Sequence, residues 1–591
     1  MHRPRTLGGC LQRAAAFGGE GLRVLDRHGL EQWLPWPVVY DRARAVAGGL
    51  QALGIARGDR VALVFPTCAN FFDACFGILL AGAVPVPLYP PVRLGRLGEY
   101  HERTARMMQA VGARLVLADR RVRLILGETV RLARPPYGCA TLDELPRAEA
   151  PAVEVGAREL GLVQFSSGTT RQPKAVALSH HALVAQAELL NGYWPETDPV
   201  DHAGVSWLPL YHDMGLIGCV FTALVRPGTL TVLPPETFIA RPAAWLQAIS
   251  RYRATISPAP NFAYSLCVSR VTDQEMEGVD LSSWRVALNG AEHAVPDVMR
   301  AFNERFARWG LSPAALTPVY GLSEASLAVT FSDVRRPFVA RRFDRVLLAE
   351  PGLARECADG REIASVGTPV PGVELRVVNE TGEPLPAGRV GRIECRGPCL
   401  MEGYLGQSDA TDSAIRDGWL STGDLGFLFE GELYVAGRAK DMLLLRGRNH
   451  APDEVERAAE RVDGIRAGCV VAVSWLPEGA DGEHLLVFAE ARRDVAPARF
   501  AEIAEDCRQA IMAALGLAAE RVTILAPGTL PRTSSGKLRR QETLRQFLAG
   551  ELAPPRPVTS LTMAAAVARS SLAYLQARWQ DGSKPDNGRG D

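Results

Sequence analysis

Ser166, Ser167, Thr169 and Thr170 crowd around Gly168, and Lys174 follows six residues after that glycine. Such a run offers hydroxyl and backbone N–H donors from one turn, with a positive charge at its end. Small residues let the backbone approach oxyanions, so the arrangement suits a polyphosphate. It is not a Walker A loop, which would need glycine where Pro173 stands. Taken alone, the same residues also fit an ordinary Ser/Thr-rich surface turn.

Further motifs follow in order: Asn289-Gly290-Ala291-Glu292, Tyr320-Gly321-Leu322-Ser323-Glu324, Ser421-Thr422-Gly423-Asp424, Gly437-Arg438-Ala439-Lys440-Asp441 and Pro531-Arg532-Thr533-Ser534-Ser535-Gly536-Lys537. In isolation Asp424 and Arg438 would be surface charges, and Lys537 a solvated lysine in a basic loop. Asn289 to Glu292 could be a plain strand-to-loop turn, and His212 a brace for the turn before Gly215. Glu324 lies among oxygen donors, a setting that suits a hard cation shared with phosphates.

Together, and at this spacing, the motifs resemble the adenylate-forming superfamily of acyl-CoA synthetases, adenylation domains and luciferases, over about residues 20 to 548. The resemblance implies ATP and Mg2+ as cofactors. It assigns Ser166, Ser167, Gly168, Thr169, Thr170 and Lys174 to the phosphate loop, and Glu324, beside Ser323, to magnesium. Asn289, Gly290, Ala291 and Glu292 would lie against adenine, with Tyr320, followed by Gly321, stacking on its other face. Asp424 and Arg438 would grip the ribose, and His212 would stand near the acyl carboxylate. Lys537 would be the catalytic lysine that neutralises charge as carboxylate meets α-phosphate. Lys440 would be the hinge about which a small domain rotates. Two departures stand out, because the family has glycine at the positions of Arg171 and Ala175. Arg171 adds charge and removes backbone freedom.

Other strings resemble the fatty acyl-AMP ligase branch: Pro85-Val86-Pro87-Leu88-Tyr89-Pro90-Pro91, residues 207–218, 257–264, and Arg446-Gly447-Arg448-Asn449-His450. The stretch between Glu324 and Val366 is long and contains Arg341-Arg342-Phe343-Asp344-Arg345, similar to the segment that in this branch packs against the small domain and disfavours coenzyme A acceptance. The implied activity is conversion of a medium- or long-chain fatty acid to acyl-adenylate, with transfer to an acyl carrier protein. An acyl-CoA synthetase and a non-catalytic acyl- or nucleotide-binding descendant remain the alternatives. Phe238, Ile239, Phe262, Tyr264, Ser265 and Leu327 are candidate walls of an apolar acyl tunnel, and each would serve equally as core.

The 591 residues are 47% hydrophobic, so sizeable cores are available. Lys+Arg and Asp+Glu both number 66, which leaves no global field to favour nucleic acid or an anionic membrane. The 11 cysteines lack a C-x-x-C pair and read as buried free thiols. Residues 71–89 are apolar but interrupted by Asp73, Pro85 and Pro87, which predicts a buried helix running into a strand rather than a membrane span. With no evident signal peptide, a cytoplasmic enzyme is expected.

Expected strands at 60–65, 83–88, 114–117, 162–165, 205–208, 229–233, 254–257 and 285–288 alternate with helical segments such as 242–252 and 295–309. That alternation predicts an α/β chain of doubly wound sheets. The expected division is a large domain over 1–437, holding an insertion near 331–365 and a β-rich subdomain near 366–437. A hinge at 438–441 follows, then a small α+β domain over 442–550 with strands at 469–473, 485–489 and 521–525 and a helix at 500–515. A Pro- then Ala-rich tail, 551–591, reads as a partly ordered extension.

Overall fold

Runs such as Val61-Ala62-Leu63-Val64, bounded by glycine- and aspartate-rich turns, can satisfy their backbone only in the interior of a sheet. The computed structural model describes residues 4–91, 94–149, 151–166, 174–193, 202–350, 352–445, 448–477, 482–533, 536–555 and 558–581. Ser167, Gly168, Thr169 and Thr170 of the expected phosphate loop, with Arg171, lie outside these residues, as do Arg446 and Gly447.

The main sheet has nine strands, ordered Thr368–Pro369, Ala328–Phe331, Leu316–Gly321, Val286–Asn289, Ile256–Ala259, Gly204–Ser206, Leu230–Val232, Gly21–Leu25 and Glu31–Pro35. The inner strands from Leu316–Gly321 to Gly21–Leu25 run parallel, and the edges are antiparallel. A second, all-parallel sheet joins Val84–Leu88, Arg60–Val64, Leu115–Ala118 and Cys139–Ala140. The apolar stretch at 71–89 is the buried helix Ala69–Leu80 leading into the strand Val84–Leu88. Asp73 in that helix is held by Arg42 Nε at 3.0 Å. No described helix is long and apolar enough to cross a membrane.

One strand departs from the expected limits for a clear reason. The segment expected to stop before Pro258 continues through it to Ala259. Val286 and Gly290 donate to the carbonyls of Thr255 and Ala259, so alternate residues face the neighbour Val286–Asn289. Pro258 therefore turns its missing N–H to the other side, where pairing has ended after Ile256 and Gly204. No ladder bond is lost.

Beyond Thr368 the strands become antiparallel: Glu374–Val378, Gly391–Arg396, Trp419–Phe429 and Glu432–Arg438. A single 3-10 turn, Ala439–Asp441, then leads to the sheet of Ile465–Trp475, His484–Ala491 and Arg521–Leu525. Helices Pro452–Glu460 and Phe500–Leu515 share a hydrophobic core with that sheet through Val455, Val487, Ile503 and Ile511. Arg345 and Arg361 of the inserted stretch reach this unit: Arg345 Nε is 3.0 Å from Glu454, and Arg361 lies 3.2 Å from Asp453 and 3.7 Å from Glu454.

The C-terminal extension includes one long helix. Ser560–Asp581 is a helix of 22 residues laid against the helix Gly127–Ala133. Gly127 donates its N–H to Ser570 Oγ at 2.7 Å, and a Cβ at Gly127 would stand 2.0 Å from the Ser570 carbonyl oxygen. Tyr574 donates its hydroxyl to the Arg123 carbonyl at 3.1 Å, with the Arg123 guanidinium 5.4 Å from its ring.

Candidate active site

Parallel strands deliver their C-terminal ends to one edge of a sheet, and ligands of open α/β sheets collect there. Here that edge carries Asn289, Tyr320 and, beyond Gly204–Ser206, the segment Trp207 to Gly215. It faces the unit that bears Lys537 across a cavity of about 2030 Å³. Ala291, Glu292, Tyr320, Gly321, Ser323, Glu324, Asp424, Arg438, Lys440 and Lys537 line it, with Ser166, Lys174 and His212.

Two turns leave no room for larger side chains. A Cβ at Gly321 would sit 1.8 Å from the Leu327 carbonyl oxygen, and one at Gly290 would be 2.6 Å from Val319 Cγ2. Ala291 adopts φ 63°, an uncommon left-handed value for a non-glycine residue that turns the chain into the cavity. Asn289 and Gly290 stand behind the wall. Asn289 is fully buried and donates from Nδ2 to Asn261 Oδ1 at 3.2 Å, so it braces the turn that presents Ala291 and Glu292. Glu292 accepts the Phe262 N–H at 3.1 Å, and burial pushes its carboxyl above the usual range.

Asp424 and Arg438 face each other across the antiparallel pair of Trp419–Phe429 and Glu432–Arg438. Arg438 Nε is 3.3 Å from Asp424 Oδ1, while Tyr320 donates its hydroxyl to Asp424 Oδ2 at 2.7 Å. At the expected phosphate end, Ser166 N–H donates to the Lys174 carbonyl at 3.1 Å and joins the loop's two stems. Lys174 Nζ lies 4.3 Å from the Tyr404 ring centroid, and the Tyr404 hydroxyl donates to Glu324 Oε1 at 2.9 Å.

His212 does what a turn-bracing histidine would: its Nδ1 is 3.4 Å from the Met214 N–H and 2.6 Å from Asp213 Oδ1. It also lines the cavity. Asp213 was not anticipated, although it directly follows His212. It is buried, accepts from Met214 N–H at 2.7 Å, and also accepts the Ser323 hydroxyl. Burial opposes its charge, yet His212, Ser323 and Lys537 together hold its carboxyl well below the usual range.

Lys537 is held in a small ring: Thr533 N–H donates to its carbonyl at 2.8 Å, and its own N–H donates to Thr533 Oγ1 at 3.0 Å. Burial draws its ammonium below the ordinary range, against the pull of Asp213, Glu292 and Asp424. These three carboxylates come from three different parts of the chain and line the same cavity as Lys537. Lys440 lies nearby, its ammonium also lowered by burial, beside Arg438. The adjoining Asp441 faces Arg540 at 3.7 Å, and Arg540 in turn grips Glu456 through two nitrogens at 2.7 and 2.6 Å.

Of the candidate acyl walls, Ile239, Phe262, Ser265 and Leu327 line the cavity. Phe238 and Tyr264 do not: both are fully buried in an aromatic core, Phe238 stacked on Trp207 at 4.0 Å and Tyr264 donating to the Leu288 carbonyl at 2.8 Å. Gly218 sits in the π-helical turn Leu216–Phe221, where a Cβ would press to 2.7 Å from Leu327. Its lack of a side chain keeps this passage open.

Residues 12–405 match the family of AMP-binding enzymes. The long-chain-fatty-acid–AMP ligase FadD26 of Mycobacterium marinum is 34% identical, over 88% of this chain and 93% of its own. A putative acyl-CoA synthetase of Caulobacter vibrioides is also 34% identical, with 91% and 94% covered. Among solved structures, one from work on fatty acyl-adenylate ligases of E. coli and L. pneumophila superposes with TM-score 0.87 at 32% identity, covering 92% of this chain and 98% of that one. The chain belongs to the AMP-binding enzyme family and has its α/β adenylation fold.

Proposed function

We propose that the protein activates a medium- or long-chain fatty acid with ATP, forming an acyl-adenylate and releasing pyrophosphate, and passes the acyl group to the phosphopantetheine thiol of an acyl carrier protein. The observation that carries this reading is that Lys537, Asp213, Glu292 and Asp424 all line one large cavity with an apolar arm. In the first step a carboxylate oxygen bonds to the α-phosphorus, and the bond from that phosphorus to the bridging β-phosphate oxygen breaks. Two anions must meet, and the Lys537 ammonium is positioned to offset their charge.

Asp424 and Arg438 offer an acceptor and a donor to the ribose hydroxyls, while Ala291 and Tyr320 form a slot for adenine. The Lys174 cation faces the triphosphate end. Mg2+ fits this site: no cluster of three metal-ligating side chains occurs among the described residues, but Glu324 supplies one carboxylate beside Lys174. A magnesium ion bound through one carboxylate plus substrate phosphates needs no larger cage. When bound it would offset charge on the departing pyrophosphate. His212, oriented by Asp213, can hydrogen-bond the acyl carboxylate. Lys440, in the single turn between the two units, is the proposed hinge.

The choice of acceptor rests on the inserted stretch. Arg345 and Arg361 pair with Glu454 and Asp453 of the small unit, and these contacts oppose its rotation to a coenzyme A-accepting state. The similarity to the putative acyl-CoA synthetase of Caulobacter favours the second reading, thioester formation with coenzyme A. Purified protein given ATP, a panel of fatty acids and either coenzyme A or a holo carrier protein separates the two. Acyl-adenylate and acylated carrier protein are expected, and acyl-CoA forming as fast as acyl-adenylate would replace the first reading with the second.

A further inference from the structure

The cavity does not end within the sheet. Strand direction shows this, because Gly204–Ser206, Leu230–Val232, Gly21–Leu25 and Ile256–Ala259 all run parallel to Val286–Asn289. Their C-terminal edge carries Glu292 and His212, whereas their N-terminal edge carries Glu20, His202, Thr229 and Tyr252. The same cavity is lined by both sets. It therefore runs along the sheet for the whole length of these strands, about 13 Å for four residues, with Gly218 and Leu327 between its ends. At the far edge it reaches Arg226, which is exposed.

That far end is polar and its charges are largely matched. Arg23 Nε lies 2.6 Å from Glu31 Oε1, and its guanidinium stands 4.5 Å from the Tyr252 ring. Tyr252 donates its hydroxyl to Glu31 Oε2 at 2.9 Å. Glu20, half-buried, accepts the Thr229 hydroxyl. His202 Nδ1 is 3.2 Å from Thr255 Oγ1. A bare methyl terminus arriving here would strip water from these groups and offer nothing in return. A second carboxylate would meet Glu20, while Arg23 is already engaged by Glu31 and Arg226 is screened by solvent. A neutral hydroxyl can both donate to the Glu20 carboxylate and accept from a neighbouring N–H.

We propose that this vestibule is a specificity site for the distal end of the acyl substrate, and that the preferred acids are ω-hydroxy fatty acids long enough to span the sheet. The inference rests on the fatty acid-activating reading above and narrows its substrate class. It is tested by acid-dependent pyrophosphate release with octanoic, dodecanoic and hexadecanoic acids, each compared with its ω-hydroxy and ω-carboxy forms. At the length that reaches Glu20, kcat/KM for the ω-hydroxy acid should exceed that of the plain acid by about tenfold, as one hydrogen bond to a charged acceptor can supply. The shortest acid should show no such difference. Glu20→Leu should remove the hydroxyl preference, read as the ratio of kcat/KM for the two acids. Should that variant fold poorly, Glu20→Gln, which keeps an acceptor without the charge, should shrink the ratio. Equal or inverted preference at every length, preference for the ω-carboxy acids, or a preference that survives loss of Glu20 would overturn the assignment while leaving acid activation intact. Absence of pyrophosphate release with every acid would instead remove the activity reading, and this inference with it.

Discussion

Tyr320 donates its hydroxyl to Asp424 Oδ2 at 2.7 Å, joining the end of a central parallel strand to the β-rich sheet that leads into the small unit. Arg438 takes the other oxygen of the same carboxylate. Burial pushes Asp424 above the usual carboxylate range, and these two partners offset part of that push. The Tyr320 ring and the Asp424 carboxylate, proposed to face adenine and ribose, are thus tied to each other. Tyr320→Phe should raise KM for ATP about fivefold, the loss of one hydrogen bond, with little change in kcat. Initial rates over an ATP series would check this, and a fall in kcat at unchanged KM would contradict it.

Lys537→Ala should leave ATP binding nearly intact and slow acyl-adenylate formation by on the order of a hundredfold or more, since a charge partner of the transition state is removed. Single-turnover formation of acyl-adenylate measures it. A wild-type rate would show that Lys537 has another role.

The insertion contacts differ in burial and so in expected weight. Arg345 is 45% exposed, whereas Arg361 is 7% exposed and faces Asp453 and Glu454. Arg345→Ala should cost less than about 1 kcal/mol, and Arg361→Met on the order of 2 kcal/mol, because a buried guanidinium is lost from two half-buried carboxylates that keep Arg457 and Arg345 as partners. The double variant should form acyl-CoA several times faster than the wild type, as the small unit is freed to rotate. Unchanged coenzyme A acylation in a folded double variant would remove the insertion from the account of acceptor choice.

Gly127 allows the C-terminal helix to approach within van der Waals contact. Gly127→Val should displace the helix Ser560–Asp581 while leaving the parallel sheet of Arg60–Val64 formed. Limited proteolysis should then cut residues 549–559 about tenfold faster, as expected for a segment that opens locally. Equal cutting rates would mean the helix is held by other contacts.

His180 is buried and its Nδ1 accepts the Leu7 N–H at 3.3 Å, which only the neutral ring can do. Burial lowers its pKa to about 4 from the ordinary 6.5. Between those values the unfolded chain binds the proton and the folded chain does not. The stabilisation is complete above pH 6.5 and is lost as pH falls toward 4, on the order of 3 kcal/mol in all. His180→Gln, which can still accept from Leu7, should show a smaller drop in melting temperature between pH 7 and pH 5 than the wild type. Parallel pH profiles for the two proteins would disprove the assignment.

Much of the site was legible in one dimension because its residues come in short strings. Tyr320 to Glu324, Ser421 to Asp424 and Gly536-Lys537 each put several cavity-lining residues within a few positions, and the apolar runs between them mark strands. Asp213 escaped notice because its importance comes from Ser323, 110 residues away, and from Lys537, beyond that again. Phe238 and Tyr264 were equally good candidates for wall and core, since an apolar side chain carries no label for which side of a helix becomes a cavity.

The order of β-branched runs and amphipathic segments was enough to determine an α/β architecture, because local periodicity commits each segment to strand or helix before any tertiary contact forms. The sequence also marked a lysine in a glycine turn and an aspartate–arginine pair. Tertiary structure alone decided that Lys537, Asp213, Glu292 and Asp424 line one cavity, that Arg361 is buried against the small unit, and that the final helix docks on Gly127. Those outcomes depend on how strands a hundred or more residues apart align and on which glycines permit close approach. Such pairings are set by packing in three dimensions, which no window along the chain contains.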